Sequence, residues 1–180
     1  MKIYFTLLSI TLLLISCNNF NQTQEIKIKK KYSMELPKSM IKSKRLNDSA
    51  SLQYENGAEE LYVIVLDESK KSIHDVIASN GIQDLYSNDI EGYSKLIMDG
   101  LKTAIKKSKT TNLKKEIINS NKSITAELSA TVDNLKVYYS LAYIEGKDTY
   151  YQIMSWTLSN KKELNKEKIN KMIHSFKEIK

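Results

Sequence analysis

Residues 113–158 constrain the fold most, because they read as four consecutive antiparallel strands. Two-residue turns at Ser120-Asn121 and Asp133-Asn134, and a tight turn around Gly146-Lys147, set the expected registers. Under those turns Ile117 faces Ile124, Ala126 faces Leu141 and Leu128 faces Tyr139. Ile124 meets Tyr143, which meets Tyr150; Val137 meets Trp156, and Tyr139 meets Met154. Strand side chains alternate with period two, so this apolar set shares one face. A one-residue slip would send it to the other side, so agreement among separately chosen turns supports the pairing. The opposite face carries Thr125, Glu127, Ser129 and Thr131, with Lys114 expected to oppose Glu127. It also carries Tyr138, Tyr151 and Ile153. Tyrosine suits interfaces, having one apolar and one polar end. These three residues are therefore a candidate partner surface if nothing covers them.

Upstream, residues 32–36 alternate and end at Pro37, which suits an opening edge strand. Residues 51–55 form a short strand candidate before the Asn56-Gly57 turn. Residues 60–66 (ELYVIVL) are apolar on both parities. Such a strand is covered on both faces, so it belongs centrally in a sheet with helices or other cover on each side. Ser72 caps a short helix over 73–79, with Asp75 as its capping-box partner. A longer helix over 89–107 carries the stripe Ile90, Tyr93, Ile97, Leu101, Ala104 and Ile105. Gly92 and Gly100 within it permit close approach to the sheet. That helix is the expected cover for Tyr138 and Tyr151, which would make them core. A last helix over 161–177, capped by Ser159 or Asn160, is expected on the Tyr139, Tyr143 and Trp156 face.

The chain's start fixes location rather than fold. Lys2 precedes a 13-residue run, 3–15, that is apolar apart from Thr6, Ser9 and Thr11. This is shorter than the roughly 20 residues of a spanning helix and fits the apolar region of a secretory signal. Leu14-Ile15-Ser16-Cys17 then resembles the lipobox of bacterial lipoproteins. The resemblance implies cleavage before Cys17 and acylation of its thiol and new amino group, leaving 1–16 as signal peptide. Cys17 is the only cysteine, so no intramolecular disulfide can form. Several acyl chains hold firmly where one holds marginally. Asn18 rather than Asp favours the outer over the inner membrane in the sorting rule that the resemblance carries. Residues 17–31 read as a lipidated cysteine and flexible tether, and its last fourteen residues, 18–31, reach about 45–50 Å at most. The domain itself would occupy 32–180.

Removing 16 of 180 residues leaves 164, with 27 basic against 21 acidic groups, or +6. That is one domain's worth of chain. A positive charge could meet nucleic acid, anionic lipid or an acidic partner. Export argues against nucleic acid, and Arg45 is the only arginine, which disfavours bidentate phosphate recognition. His74 and His174 lack partners at metal-ligand spacing, and no phosphate loop or nucleophile elbow is present. Ser72, His74 and Asp75 sit too close along one helical turn for a triad. Adjacent carboxylates at Glu59-Glu60 and Asp67-Glu68 point to opposite strand faces. No cofactor and no catalytic residue are expected.

Tyr32-Ser33-Met34-Glu35-Leu36-Pro37, the run from Glu60 to Val65, the run from Tyr150 to Thr157 and the terminal Ile173-His174-Ser175-Phe176 together resemble the Mog1p/PsbP-like family. The resemblance implies an α+β fold, an antiparallel sheet with helices on both faces in an α/β/α sandwich. It also implies a non-catalytic assembly, chaperone-like or binding role and carries over no catalytic residues. The expected function is an envelope lipoprotein that meets the bilayer through Cys17 and binds another envelope protein. The alternative is a small-ligand or lipid-binding module with a cleft between sheet and helices.

Overall fold

The computed structural model describes residues 22–105 and 108–179. Within these residues two antiparallel sheets and three α-helices make up an α+β fold. The main sheet is built around β5 (Leu61–Ser69) and three long strands, β8 (Asn121–Val132), β9 (Leu135–Glu145) and β10 (Thr149–Leu158). Its strand order is β3-β4-β5-β10-β9-β8-β6, with β3 (Ile41–Lys42), β4 (Leu52–Asn56) and β6 (Ser108–Thr110) toward the edges. β7 (Lys114–Ile118) shares the β8 edge with β6. A small sheet places β2 (Tyr32–Pro37) between β1 (Thr23–Ile28) and β11 (Lys177–Glu178).

The Asp133-Asn134 turn forms as expected, with φ of 48° and 65° at its two residues. Two consecutive positive φ values define the type I′ turn whose twist matches the flanking strands. The β7–β8 turn is Asn119-Ser120, with φ of 45° and 72°, one residue before the expected position. Asn tolerates the left-handed region better than most residues, which favours it as the first turn residue. Ile117 therefore pairs Lys122 rather than facing Ile124, and Lys114 pairs Thr125 rather than Glu127. The β9–β10 connection is three residues, 146–148, closed by the Gly146 N–H on the Thr149 carbonyl at 2.9 Å. Tyr143 consequently pairs Gln152, Leu141 pairs Met154 and Tyr139 pairs Trp156. These are slips of two, so every side chain keeps its face. The expected Ala126–Leu141, Leu128–Tyr139 and Ile124–Tyr143 pairs are all present.

The helices cover the two faces in the opposite arrangement to that expected. α1 (Lys70–Ser79) and α2 (Ile90–Ala104) lie on the face of Ile124, Leu141, Tyr143 and Tyr150, which receives Ile77, Tyr93 and Met98. α3 (Lys162–His174) lies on the face of Tyr138, Tyr151 and Ile153, together with β2. Both faces of β5 are apolar, so helical periodicity cannot say which helix takes which face. The chain decides it: α3 returns along the sheet, and Phe176, two residues past its end, stacks on Tyr32 with ring centroids 5.1 Å apart. β11 then pairs β2.

Other boundaries also differ. β1 lies inside the stretch expected as tether, so the folded part begins about nine residues earlier than residue 32. Ile26 and Ile28 alternate with Glu25 and Lys27 and pack, half-buried, on the core. The amide of Gln24 fastens this strand by donating to the carbonyls of Pro37 at 3.2 Å and Met40 at 2.9 Å. β2 is thus an interior strand of its sheet, not an edge. Ser69 rather than Ser72 caps α1, and α3 follows a 3-10 turn over Ser159–Lys161 with no side-chain cap. Gly92 does allow a close approach, but to the loop before its own helix: a Cβ there would lie 1.8 Å from the Ser87 carbonyl oxygen. Gly100 faces open space.

Candidate functional site

Tyr138, Tyr151 and Ile153 are not an open partner surface. Their exposures are 2%, 2% and 0%, under α3 and β2. The Tyr151 hydroxyl donates to Glu178 Oε1 at 3.3 Å, and burial pushes its pKa up to about 12. The Lys162 amine sits 4.3 Å above the Tyr138 ring. Cys17 lies outside the described residues.

The paper triad does not assemble. His74 Nε2 lies 3.2 Å from the Tyr150 hydroxyl, while Asp75 binds Lys71 at 2.6 Å. His174 shares hydrogen bonds with the Asn170 carbonyl at 2.8 Å and Glu116 Oε2 at 3.3 Å, on the exposed C-terminal turn of α3. A carboxylate is therefore in reach of His174, but neither histidine lines a cleft described below. Asp67 and Glu68 separate as strand alternation requires, whereas Glu59 and Glu60 lie in the turn before β5, with φ of 54° at Glu60, and not on a strand as expected. Glu59 binds Lys168 and Glu60 accepts from the Tyr62 hydroxyl. Asp67 binds Lys31, and Glu68 accepts from the Tyr93 hydroxyl at 2.6 Å. Among the described residues no three His, Cys, Asp or Glu side chains gather as a metal site, and no helix is long and apolar enough to cross a membrane.

The larger cleft, about 1510 Å³, opens where the β1–β2 turn, β11 and the hairpin turns at 119–120 and 146–148 converge. Its lining holds seven lysines against four acidic residues. Three of the lysines are matched: Lys27 to Glu25 at 3.0 Å, Lys70 to Glu145 at 2.9 Å, and Lys31 to Asp67. Lys30, Lys122, Lys147 and Lys177 make no ion pair among the described residues.

The walls of this cleft are held by amide and carboxylate groups rather than by apolar packing. The Asn119 amide donates to the carbonyls of His174 at 2.9 Å and Phe176 at 2.8 Å. That joins the β7–β8 turn to the end of α3. The Asn121 amide donates to the Glu145 carbonyl at 2.9 Å. Glu178 accepts from the Lys147 N–H at 3.0 Å and from Tyr151. Gly146 fits beneath it, since a Cβ there would fall 2.3 Å from Glu178 Oε1 and 2.7 Å from the Tyr151 ring. Asn119, Asn121 and Glu178 escape sequence reading because turn amides and a two-residue strand leave no periodic signal. The cluster Asn119-Ser120-Asn121 was the one visible hint.

A second cleft, about 750 Å³, runs along α2 toward the β6–β7 connection. Met98, Leu113 and Ile124 give it apolar patches, and the pairs Glu91–Lys115 at 2.5 Å and Lys95–Asp99 at 2.9 Å border it.

No protein-family model and no curated protein sequence matches the chain. Solved structures do match in fold. Cyanobacterial PsbP from Synechocystis superposes with a TM-score of 0.61 at 14% identity, covering 87% of this chain and 92% of that one. LpqN of Mycobacterium tuberculosis, described as involved in cell envelope biogenesis, gives 0.56 at 4% identity, with 88% and 91% covered. The Saccharomyces cerevisiae Ran-binding protein Mog1p gives 0.54 at 12% identity, with 87% and 95% covered. The chain therefore has a PsbP/Mog1p-like α+β fold.

Proposed function

We propose that this protein is a lipid-anchored component of a bacterial cell envelope that binds a protein partner and catalyses no reaction. The observation that carries the binding role is the lysine-rich cleft at the convergent turns, where four lysines make no ion pair among the described residues and stand on a hydrogen-bonded frame. An unmatched set of like charges on fixed turns is a ready surface for a complementary partner. LpqN, whose described role is in cell envelope biogenesis, and Mog1p, described as Ran-binding, are consistent with a binding role on this fold.

The anchor is Cys17, carried by the lipobox, with Asn18 favouring the outer membrane. Because β1 begins at Thr23, the spacer after Cys17 is five residues, 18–22, and spans about 20 Å at most from Cys17 to Thr23. The domain accordingly works close to the bilayer. Labelling with a fatty-acid analogue should mark the wild-type chain and not Cys17→Ala; equal labelling of both sinks the anchor. Crosslinked pull-down from intact membranes should recover a protein partner from the wild type. A pull-down that recovers none sinks the binding role.

The cleft along α2 supports a second reading, a small amphipathic ligand held against Met98, Leu113 and Ile124. Its volume lies within the usual range for ligand sites, about 300–1,000 Å³. Native mass spectrometry of protein purified from its own membranes separates the two, since only this reading predicts a retained small molecule.

A further inference from the structure

We infer that the lysine-rich cleft binds an acidic, extended segment of the partner protein, seated beside the open edge of β1. This rests on the binding role proposed above and specifies its chemistry.

Charge is the first ground. Lys30, Lys122, Lys147 and Lys177 come from four separate elements and converge on one concavity without ion pairs among the described residues. Of the four acidic residues in the lining, Glu25, Glu145 and Glu178 are already occupied by Lys27, Lys70 and the Lys147 N–H. Asp148 is the remaining one. The cleft therefore presents spare positive charge to a ligand.

Shape is the second. About 1510 Å³ exceeds the usual small-molecule range of about 300–1,000 Å³ and suits a length of chain. A flat bilayer cannot enter a concave cleft. Moreover, the chain enters β1 at Thr23, whereas the lysine-bearing turn lies past Ile28, about 17 Å along the strand. The cleft is thus at the far end of β1 from the anchor. Bases would need exposed aromatic faces for stacking, and the only aromatic in the lining is Tyr151, 2% exposed.

The edge strand is the third. Among the described residues β1 has β2 on one side and no strand on the other. The Lys38 N–H donates to the Gln22 carbonyl at 2.9 Å, so ladder alternation directs the backbone groups of Thr23, Glu25 and Lys27 outward. Glu25 and Lys27 also line the cleft. An extended peptide can bond such an edge through its main chain while alternate side chains reach the lysines.

The test uses the full chain in neutral-detergent micelles and a fluorescein-labelled peptide of alternating Glu and Val, read by anisotropy. A peptide of alternating Gln and Val is the control. Binding of the Glu peptide alone is expected, weakening as salt rises from about 0.15 to about 0.5 M. The variant Lys30→Gln/Lys122→Gln/Lys147→Gln/Lys177→Gln should lose about tenfold or more in affinity, as four exposed pairs disappear together. All four side chains are exposed, so the fold should survive. The matched variant Lys42→Gln/Lys44→Gln/Lys109→Gln/Lys136→Gln removes the same charge elsewhere and should bind like wild type.

Equal loss in both variants would reduce the effect to net charge and overturn the site. No binding of the Glu peptide would overturn it as well. Protection of the four amines from acylation by phosphatidylglycerol nanodiscs, with no binding of the peptide, would identify a bilayer instead. Tighter binding of a single-stranded oligonucleotide would identify nucleic acid. Anchoring has its own readout in Cys17→Ala, and partner capture has the pull-down. Failure of the peptide with a protein still captured overturns the acidic-segment inference alone.

Discussion

Ile153→Ala separates a core position from a contact surface by its magnitude alone. Ile153 has no exposed area, and its strand neighbours are Val65 on β5 and Ala142 on β9. Its side chain points into the layer filled by β2 and α3. Truncation to Ala removes three carbon groups beyond Cβ, worth about 2.4 kcal/mol in transfer at about 0.8 each. The walls are strands bonded on both sides and cannot close fully, so a residual cavity adds about 1 kcal/mol or more. The expected loss is about 3–4 kcal/mol. Urea unfolding followed by circular dichroism measures it, with an unchanged m-value as the check on two-state behaviour. Leu135→Ala is the comparison, because Leu135 is 55% exposed at a hairpin turn and should change stability by less than about 0.5 kcal/mol. A loss below about 1 kcal/mol for Ile153→Ala would mean that the α3 layer does not cover this face. The partner-surface reading of Tyr138, Tyr151 and Ile153 would then revive.

Four further outcomes follow from local geometry. Gly92→Ala should destabilise by about 2 kcal/mol or more, since its Cβ would meet Ser87 backbone at 1.8 Å, a clash that forces the loop to move. Gly100→Ala, in open space on the same helix, should instead stabilise by up to about 1 kcal/mol, and thermal melts of the two variants give the contrast. Asp89→Ala should cost about 1 kcal/mol at neutral pH, because its carboxylate caps α2 by accepting from the Gly92 N–H at 2.9 Å. The hydrogen bond from Ser87, then that from Gly92, holds the Asp89 carboxyl below its ordinary value. A depressed folded pKa stabilises above the unfolded value, near 3.9, and the benefit fades as pH falls through the folded one. Wild type and Asp89→Ala should accordingly converge in acid, and a difference that persists there would refute the charged cap. Asn165→Ala should cost about 2 kcal/mol by denaturant titration, since its buried amide satisfies the Glu59 carbonyl and the Thr157 hydroxyl, both at 2.9 Å.

What was legible in the sequence depended on periodicity and parity. The alternation over 113–158 assigned each side chain to its face, and this survived two register errors because both were even slips. Asp133-Asn134 was found because both of its residues accept positive φ. Asn119-Ser120 was missed by one position because Ser120-Asn121 offers nearly the same composition. β1 was overlooked because Lys27, Lys29, Lys30 and Lys31 dominate its neighbourhood, although Ile26 and Ile28 do alternate. The exchange of helix cover could not be read at all. With both sheet faces apolar, the deciding fact is that β11 pairs β2, a contact between the two ends of the domain. The cleft was invisible for a related reason: its lysines are far apart in sequence and meet only through that closure.

The pairing of β2 with β11 also orders events in time. α3 and β11 occupy the last eighteen described residues, 162–179, and they complete the layer over Tyr138, Tyr151 and Ile153. At a synthesis rate of about 5–20 residues per second, these residues trail the end of β10 by about one to four seconds. During that interval β1 and β2 have no C-terminal partner, and the part of the main-sheet face that α3 covers is open apolar surface beside β2. Contacts of such high sequence separation are slow to form. A chain shortened before Lys162 would remain in that half-covered state, prone to association through the face that the native molecule hides. Phe176 and β11, just past α3, are in this sense the latch that ends the protein's most vulnerable moment.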